Sequence, residues 1–180
     1  FSNPQTLVEQ SAPTNINDSN TVLVSVETQE QSLVSIPRGA FRVPMMQITF
    51  DVPCAQDVFL KEVTIKRVGL GSADEITGVY LTDESVRITR SKTFSSNDER
   101  ATLNFAQEGL VLPACTSKQL SVLADFSDDA QGQHRFELID VQASVPVKIK
   151  VTKPLTTYRI AGEVEDKVII EFLPLISDVH

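Results

Sequence analysis

Apolar and polar residues alternate along most of this chain with a period of two. The clearest runs are residues 46–52, 120–126 and 145–151, in which apolar residues take every second position and mostly polar residues stand between them. Successive side chains of a β-strand point to opposite faces of a sheet, so each run predicts a strand with one buried and one solvated face. Many half-buried strands have to close on a shared core, which indicates a sandwich or a barrel.

Turn signals divide this pattern into short strands. The glycine-rich corner at residues 69–71 and the polar turn at residues 83–85 separate strands of roughly four to eight residues. No window has a convincing helical period, and we expect residues 95–100, the best helix candidate, to form a loop. The corner lacks the third glycine and the following helix of a dinucleotide-binding loop, so it predicts only a turn. We therefore predict an all-β fold, an antiparallel β-sandwich that is immunoglobulin-like or jelly-roll-like.

The N-terminal region changes character abruptly. Residues 1–20 are rich in Asn, Ser, Thr, Gln and Pro and low in apolar residues, which is typical of a linker. A strongly alternating strand follows at residues 21–28. Its apolar face consists of three valines, Val22, Val24 and Val26. We predict an extended N-terminal arm at residues 1–28, as a candidate donor strand, and a single sandwich domain at residues 29–180. In the alternative, residues 21–28 pair within their own domain.

The C-terminal region adds further strands to the predicted domain. We expect strands at residues 145–151, 157–164 and 167–173. The last of these is apolar on both faces. Such a strand is buried on both sides or contacts another molecule.

Composition and charge narrow the functional classes. Apolar residues make up 41% and charged residues 22% of the chain, as in ordinary soluble domains. The net charge of −8 is spread along the chain with no evident basic face, so we expect no nucleic-acid partner. No apolar run approaches the roughly 18 residues of a membrane-spanning helix. We expect the acidity to serve solubility or, in the alternative, to attract cations such as calcium.

The two cysteines predict a disulfide and an exported protein. Cys54 and Cys115 each lie close to a proline at the edge of a predicted strand. Closing so long a loop contributes about 4 kcal/mol in the chain-entropy model, and such bridges persist in secreted proteins rather than in the cytosol. The alternative is a pair of free, buried thiols. Two cysteines without a nearby histidine do not complete a zinc site.

Catalytic chemistry has little support in the sequence. His134, in a polar loop, and His180, the last residue, are the only histidines, and we expect both on the surface. A hydrolase triad needs a positioned histidine with a carboxylate behind it, so we predict that the chain is not an enzyme.

The densest acidic cluster consists of three aspartates, Asp125, Asp128 and Asp129. Their spacing is only loosely like that of a calcium loop. We expect a solvated turn there, with bound calcium as the alternative and no other cofactor. The chain has no tryptophan and two tyrosines, which argues against a carbohydrate-binding module of the kind that presents aromatic platforms.

Four segments in the middle of the chain carry a resemblance to a known family. In order, these are residues 63–71, 76–81, 109–110 and 116–125. Their succession of strands and turns resembles the β-sandwich modules of bacterial cell-surface and S-layer-type proteins. The resemblance covers fewer than half of the residues and involves no chemical motif. It implies an exported structural module, located on the cell surface or secreted.

The polar leader and its following strand indicate how such a module would assemble. An extended donor segment completes the sheet of the next subunit through main-chain hydrogen bonds, and a head-to-tail contact of this kind propagates into a filament. We predict a non-enzymatic extracellular subunit that forms a pilus-like filament or a layer, with copies of itself as partners. The alternative is a monomeric cell-surface adhesive module that binds calcium, a glycan or a host surface.

Overall fold

The computed structural model describes residues 20–27, 32–154 and 156–161. These residues form β-strands and one 3₁₀ turn, Ala73–Glu75, and among them no helix is long and apolar enough to cross a membrane. The strands are β1 (Val22–Val26), β2 (Ser32–Ile36), β3 (Val43–Asp51), β4 (Val58–Val68), β5 (Ile76–Asp83), β6 (Val86–Arg87), β7 (Arg100–Asn104), β8 (Leu110–Leu112), β9 (Ser117–Phe126), β10 (Gln133–Ala143), β11 (Val147–Val151) and β12 (Thr156–Ile160).

The strands form two sheets. The first sheet has the order β11-β1-β3-β9-β5-β6, and the second has the order β2-β12-β10-β4-β7, with β8 also paired to β4. The apolar faces of both sheets meet in one core, so the predicted β-sandwich is confirmed. The strand expected at residues 167–173 lies outside the described residues, as do the first nineteen residues of the predicted arm.

The core consists of the alternating apolar residues on which the fold prediction depends. Ile48 and Phe50 of β3, Val63 and Ile65 of β4 and Val122 of β9 have no exposed surface. Removing such a side chain from water contributes about 1.5–3 kcal/mol, which fixes the strand register, because a slip of one residue would expose every one of them.

Two neighbouring pairs depart from the antiparallel pattern that the sequence predicts. β1 runs parallel to β11 in the first sheet, and β2 runs parallel to β12 in the second. Parallel neighbours cannot be joined by a tight hairpin, so strands from opposite ends of the chain supply them. The N-terminal and C-terminal strands thus lie side by side in both sheets.

The disulfide expected from the sequence is present. Cys54 and Cys115 are bonded, with their Cα atoms 4.3 Å apart and a sequence separation of 61. The bond joins the turn between β3 and β4 to the turn between β8 and β9. Two hydrogen bonds support it: Cys115 N–H donates to Pro53 C=O (3.2 Å), and Ala114 N–H donates to the Asp57 carboxylate (2.9 Å).

Removing this crosslink is expected to lower stability substantially. The double variant Cys54→Ala/Cys115→Ala should lose about 4 kcal/mol of unfolding free energy, because its unfolded chain regains the freedom of the closed loop. Urea unfolding of the wild type and the variant at equal protein concentration measures this loss. The wild type with reductant should match the variant, and an unchanged urea midpoint in both cases would contradict the prediction.

Candidate functional site

The three candidate assembly valines lie in the first sheet of their own chain. Val22, Val24 and Val26 are 1%, 0% and 3% exposed on the inner face of β1. β1 lies between β3, to which it is antiparallel, and β11, to which it is parallel. The structure therefore places residues 22–26 inside the sandwich, in the arrangement that the sequence analysis left open as its alternative.

β1 occupies a well-defined apolar groove between its two neighbours. Val24 is level with Phe50 of β3 and with Ile149 of β11, so its side chain packs between apolar residues on both sides. The backbone is held at both ends: Val22 N–H donates to Pro146 C=O (3.0 Å) and Glu27 N–H to Gln47 C=O (2.9 Å). Main-chain bonds with alternate side chains in a groove are how sheets accept an added strand.

The outermost strands of the two sheets differ in how they are protected. β11 carries two exposed lysines, Lys148 and Lys150, which are the kind of charged residue that discourages unwanted strand pairing. β2, at the edge of the second sheet, instead exposes Leu33 (55%) and Val34 (39%). The described strand β2 thus lacks the charged side chains that protect β11.

The three aspartates proposed as calcium ligands have separate roles: Asp125 lies in β9, and Asp128 and Asp129 lie in the turn that follows it. The Asp125 carboxylate accepts hydrogen bonds from Arg42 N–H (2.8 Å) and Tyr80 O–H (3.1 Å). Asp129 accepts a hydrogen bond from the Ser127 hydroxyl, which lowers the pKa of Asp129, and Asp128 packs against Gly39.

This arrangement fits the interpretation of the cluster as a turn. Within the described ranges, no three His, Cys, Asp or Glu side chains are grouped so that they could hold a metal ion. Asp125 also affects the titration of Tyr80. Burial raises the pKa of Tyr80, and the charge of Asp125 and its hydrogen bond with Tyr80 raise it further.

The expectation that His134 lies on the surface is wrong. His134 is the second residue of β10 and has no exposed surface. It lies in phase with the buried residues Phe136 and Leu138, so extending their period of two back by one step would have found it. The surrounding polar residues hid this signal. His180 lies outside the described residues.

His134 belongs to a buried polar cluster that joins four parts of the chain. Arg67 of β4 places Nη1 3.3 Å from His134 Nδ1, and His134 Nε2 lies 2.9 Å from Gln131 C=O and 3.1 Å from Glu75 Oε2. Arginine only donates hydrogen bonds, so Nδ1 is the acceptor and the imidazole carries its proton on Nε2. The neutral tautomer is therefore the one that the cluster binds.

The charge of Arg67 is compensated despite its burial. Its side chain is 2% exposed, and Nη2 lies 2.6 Å from Glu99 Oε1 and 2.8 Å from Gly71 C=O. Gly71 has φ +146°, and a Cβ there would lie 2.9 Å from the His134 ring. Glycine at this corner therefore lets the backbone approach the cluster closely.

Electrostatics disfavour protonation of His134. Burial lowers the pKa of His134 below its usual 6.5, and the Arg67 charge lowers it further. The hydrogen bond to Gln131 and the Glu75 carboxylate act in the opposite direction, but burial is the largest cause.

Comparison with known proteins gives a fold-level likeness only. No protein-family model and no curated protein matches the chain. Two type I cohesins from cohesin–dockerin complexes of Clostridium thermocellum are similar in structure: one is 10% identical, with a TM-score of 0.45 over 79% of this chain and 96% of that chain. The other is 16% identical, with a TM-score of 0.44 over 79% and 100%.

A third similar structure is a non-cellulosomal cohesin from the archaeon Archaeoglobus fulgidus. It is 12% identical, with a TM-score of 0.39 over 81% of this chain and 94% of that chain. At such identities and TM-scores the likeness carries no conclusion about family, partner or activity. These three structures are cohesin modules, so the S-layer part of the sequence resemblance has no support from them.

Acid is expected to destabilise the protein through His134. Between pH 6.5 and the lower pKa of the folded state, the unfolded chain binds more protons, so stability falls as the pH drops through this window. The slope reaches at most about 1.4 kcal/mol per pH unit. Urea unfolding at several pH values between 5 and 8 measures it.

Replacing the histidine separates this effect from general acid sensitivity. His134→Gln keeps an amide donor for Gln131 but cannot titrate, so its stability should vary less with pH over this window. His180→Gln, which removes the other histidine, is the matched control and should keep the wild-type slope. Equal slopes in all three proteins would show that His134 does not act in this way.

Proposed function

We propose that the chain is a non-enzymatic extracellular structural subunit that assembles head-to-tail into a pilus-like surface filament or a layer. The N-terminal strand β1 would do this by leaving its own groove and entering the same groove of a neighbouring copy. The observation that carries the proposal is the seating of β1, whose three valines are buried and whose two edges are paired.

The contacts that β1 makes do not by themselves favour its own groove over the groove of a neighbouring copy. A neighbouring copy offers β1 the same valine pockets and the same backbone partners as its own chain, so the contact free energy is the same in both cases. Such exchange of an identical element is a low-cost route to association, and an open head-to-tail arrangement propagates. Protein concentration and the connection between β1 and β2 then decide which form dominates.

The disulfide supports this proposal because it stabilises the acceptor body independently of β1. Cys54 and Cys115 tie together the turns that flank β3, β4, β8 and β9. The crosslink itself involves no residue of β1. A groove vacated by β1 would therefore keep its β3 wall within a crosslinked sandwich, ready to pair with an incoming strand.

A monomeric cell-surface adhesive module is the second candidate. One observation favours it: β1 completes the first sheet of its own chain, so a single copy is already closed. In that case β1 stays in place, and binding takes place on the outer surface or at the exposed β2 edge.

A crosslinking experiment distinguishes the two candidates. Ser25 of β1 and Thr49 of β3 are directly opposite one another. Ser25→Cys protein is mixed with differently tagged Thr49→Cys protein and oxidised. Exchange predicts an interchain disulfide between the two variants, because only β1 of one chain lying against β3 of another brings these positions together.

The matched control replaces Thr49→Cys with Thr102→Cys, on β7 of the second sheet, which does not pair with β1. Negative-stain electron microscopy of the wild type should show filaments or sheets under the same conditions. If crosslinking is no greater with Thr49→Cys than with Thr102→Cys, and only particles of about 20 kDa are seen, the monomeric module is the correct interpretation.

A further inference from the structure

A cleft of about 790 Å³ opens on the side of the sandwich where the outer strands β6 and β7 lie. One wall is formed by residues 87–92, which follow the edge of β5, and the other by residues 104–107, in the turn between β7 and β8. The cleft is distinct from the β1 groove, which lies at the opposite end of the first sheet.

The cleft is basic, although the chain as a whole has a net charge of −8. Arg87, Arg90 and Lys92 line it, and none of its lining residues is acidic. All three are exposed, and none forms an ion pair with a carboxylate in the described part of the chain. The expectation that the protein has no basic face is therefore wrong at this position.

The cationic wall is held rigidly by β5. Lys92 and Val79 exchange two backbone hydrogen bonds (2.8 and 2.9 Å), and Ile88 N–H donates to Leu81 C=O (3.0 Å). The Arg87 guanidinium lies 4.2 Å from the centre of the Tyr80 ring, as in a cation–π contact. The backbone that carries the three cationic side chains is therefore fixed before an anion binds.

The same bonds determine how a ligand can be recognised. They occupy the β5 backbone groups that face this wall, so those groups are not free to pair with a ligand. The side chains available for recognition are guanidinium and ammonium groups together with the amides of Asn104 and Gln107. Ile88 and Phe105, both half-buried, supply apolar surface between them.

We propose that this cleft binds an acidic polysaccharide. The cations match carboxylate or sulfate groups, and guanidinium groups pair with them through strong charge-assisted hydrogen bonds. The amides suit the hydroxyl groups of sugars, and Ile88 with Phe105 suits the apolar face of a sugar ring. Such binding would attach the protein to an anionic matrix whether or not β1 exchanges, so the site does not depend on the proposed assembly.

The test measures binding of the full chain to polygalacturonate, a polymer of uronic acid, by isothermal titration at low and high salt. The cleft variant is Arg90→Glu/Lys92→Glu, and Lys148→Glu/Lys150→Glu on β11 is the matched control with the same change in charge. The wild type should bind, with an affinity that falls as salt rises. The cleft variant should bind at least about tenfold more weakly, because it loses two charge-assisted hydrogen bonds and places two carboxylates beside the anionic groups of the polymer.

The control variant should bind within about twofold of the wild type, because distant exposed charges are screened. Melting curves establish that both variants are folded, and all four substituted residues are exposed. No binding to polygalacturonate, or equal weakening in both variants, overturns the proposal. Tighter binding to polyglutamate than to polygalacturonate also overturns it, and identifies the ligand as an acidic peptide.

Discussion

The pairing of strands from the two ends of the chain is the constraint on which the rest of the fold depends. β1 with β11 and β2 with β12 each join strands that are far apart in sequence, and each pair completes one sheet. Bringing such distant segments together costs loop-closure entropy before any contact compensates for it. The first sheet is incomplete until the chain has reached β11 and the second until it has reached β12, so the core closes late.

This constraint explains why function is sought at the margins of the molecule. The core of the described residues is an apolar layer, and the polar cluster around Arg67 and His134 is buried beside it, with the Glu99 side chain 36% exposed at its rim. The cluster ties the glycine corner to β10, which is structural chemistry and involves no open site. The features that the two proposals use are the terminal strand β1 and the basic cleft beside β6, and both lie away from the centre of the sheets.

The sequence is sufficient to predict the sandwich because the period of two is a local signal. The buried face of a strand can be predicted from its own alternation, without knowing which strands lie beside it. This holds for Ile48 and Phe50 of β3 and for Val63 and Ile65 of β4. The parallel pairs could not be predicted in this way, since nothing within β1 specifies whether β11 approaches it in the same or the opposite direction. The disulfide could be predicted for a different reason, because the sequence contains only two cysteines.

The sites were harder to predict because they depend on distance in space. His134 follows a polar loop, and only its register with Phe136 reveals its burial. Arg87, Arg90 and Lys92 form one wall of a cleft because residues 104–107 come to face them. The negative net charge of the chain led to the wrong expectation that no basic face exists. A total over the whole chain does not show a local excess of positive charge.

The disulfide also determines how this protein would respond to a pulling force. A chain stretched from both termini can lengthen only outside the crosslink, so the segment between Cys54 and Cys115, which are 61 positions apart, does not extend. That segment contains β4, β5, β6, β7 and β8, and the force passes directly from the end of β3 to the start of β9. β1 and β11, which are parallel neighbours, would be loaded along their length, so their hydrogen bonds share the load. The covalent bond thus gives the domain a short maximum extension, a property suited to a link that carries tension.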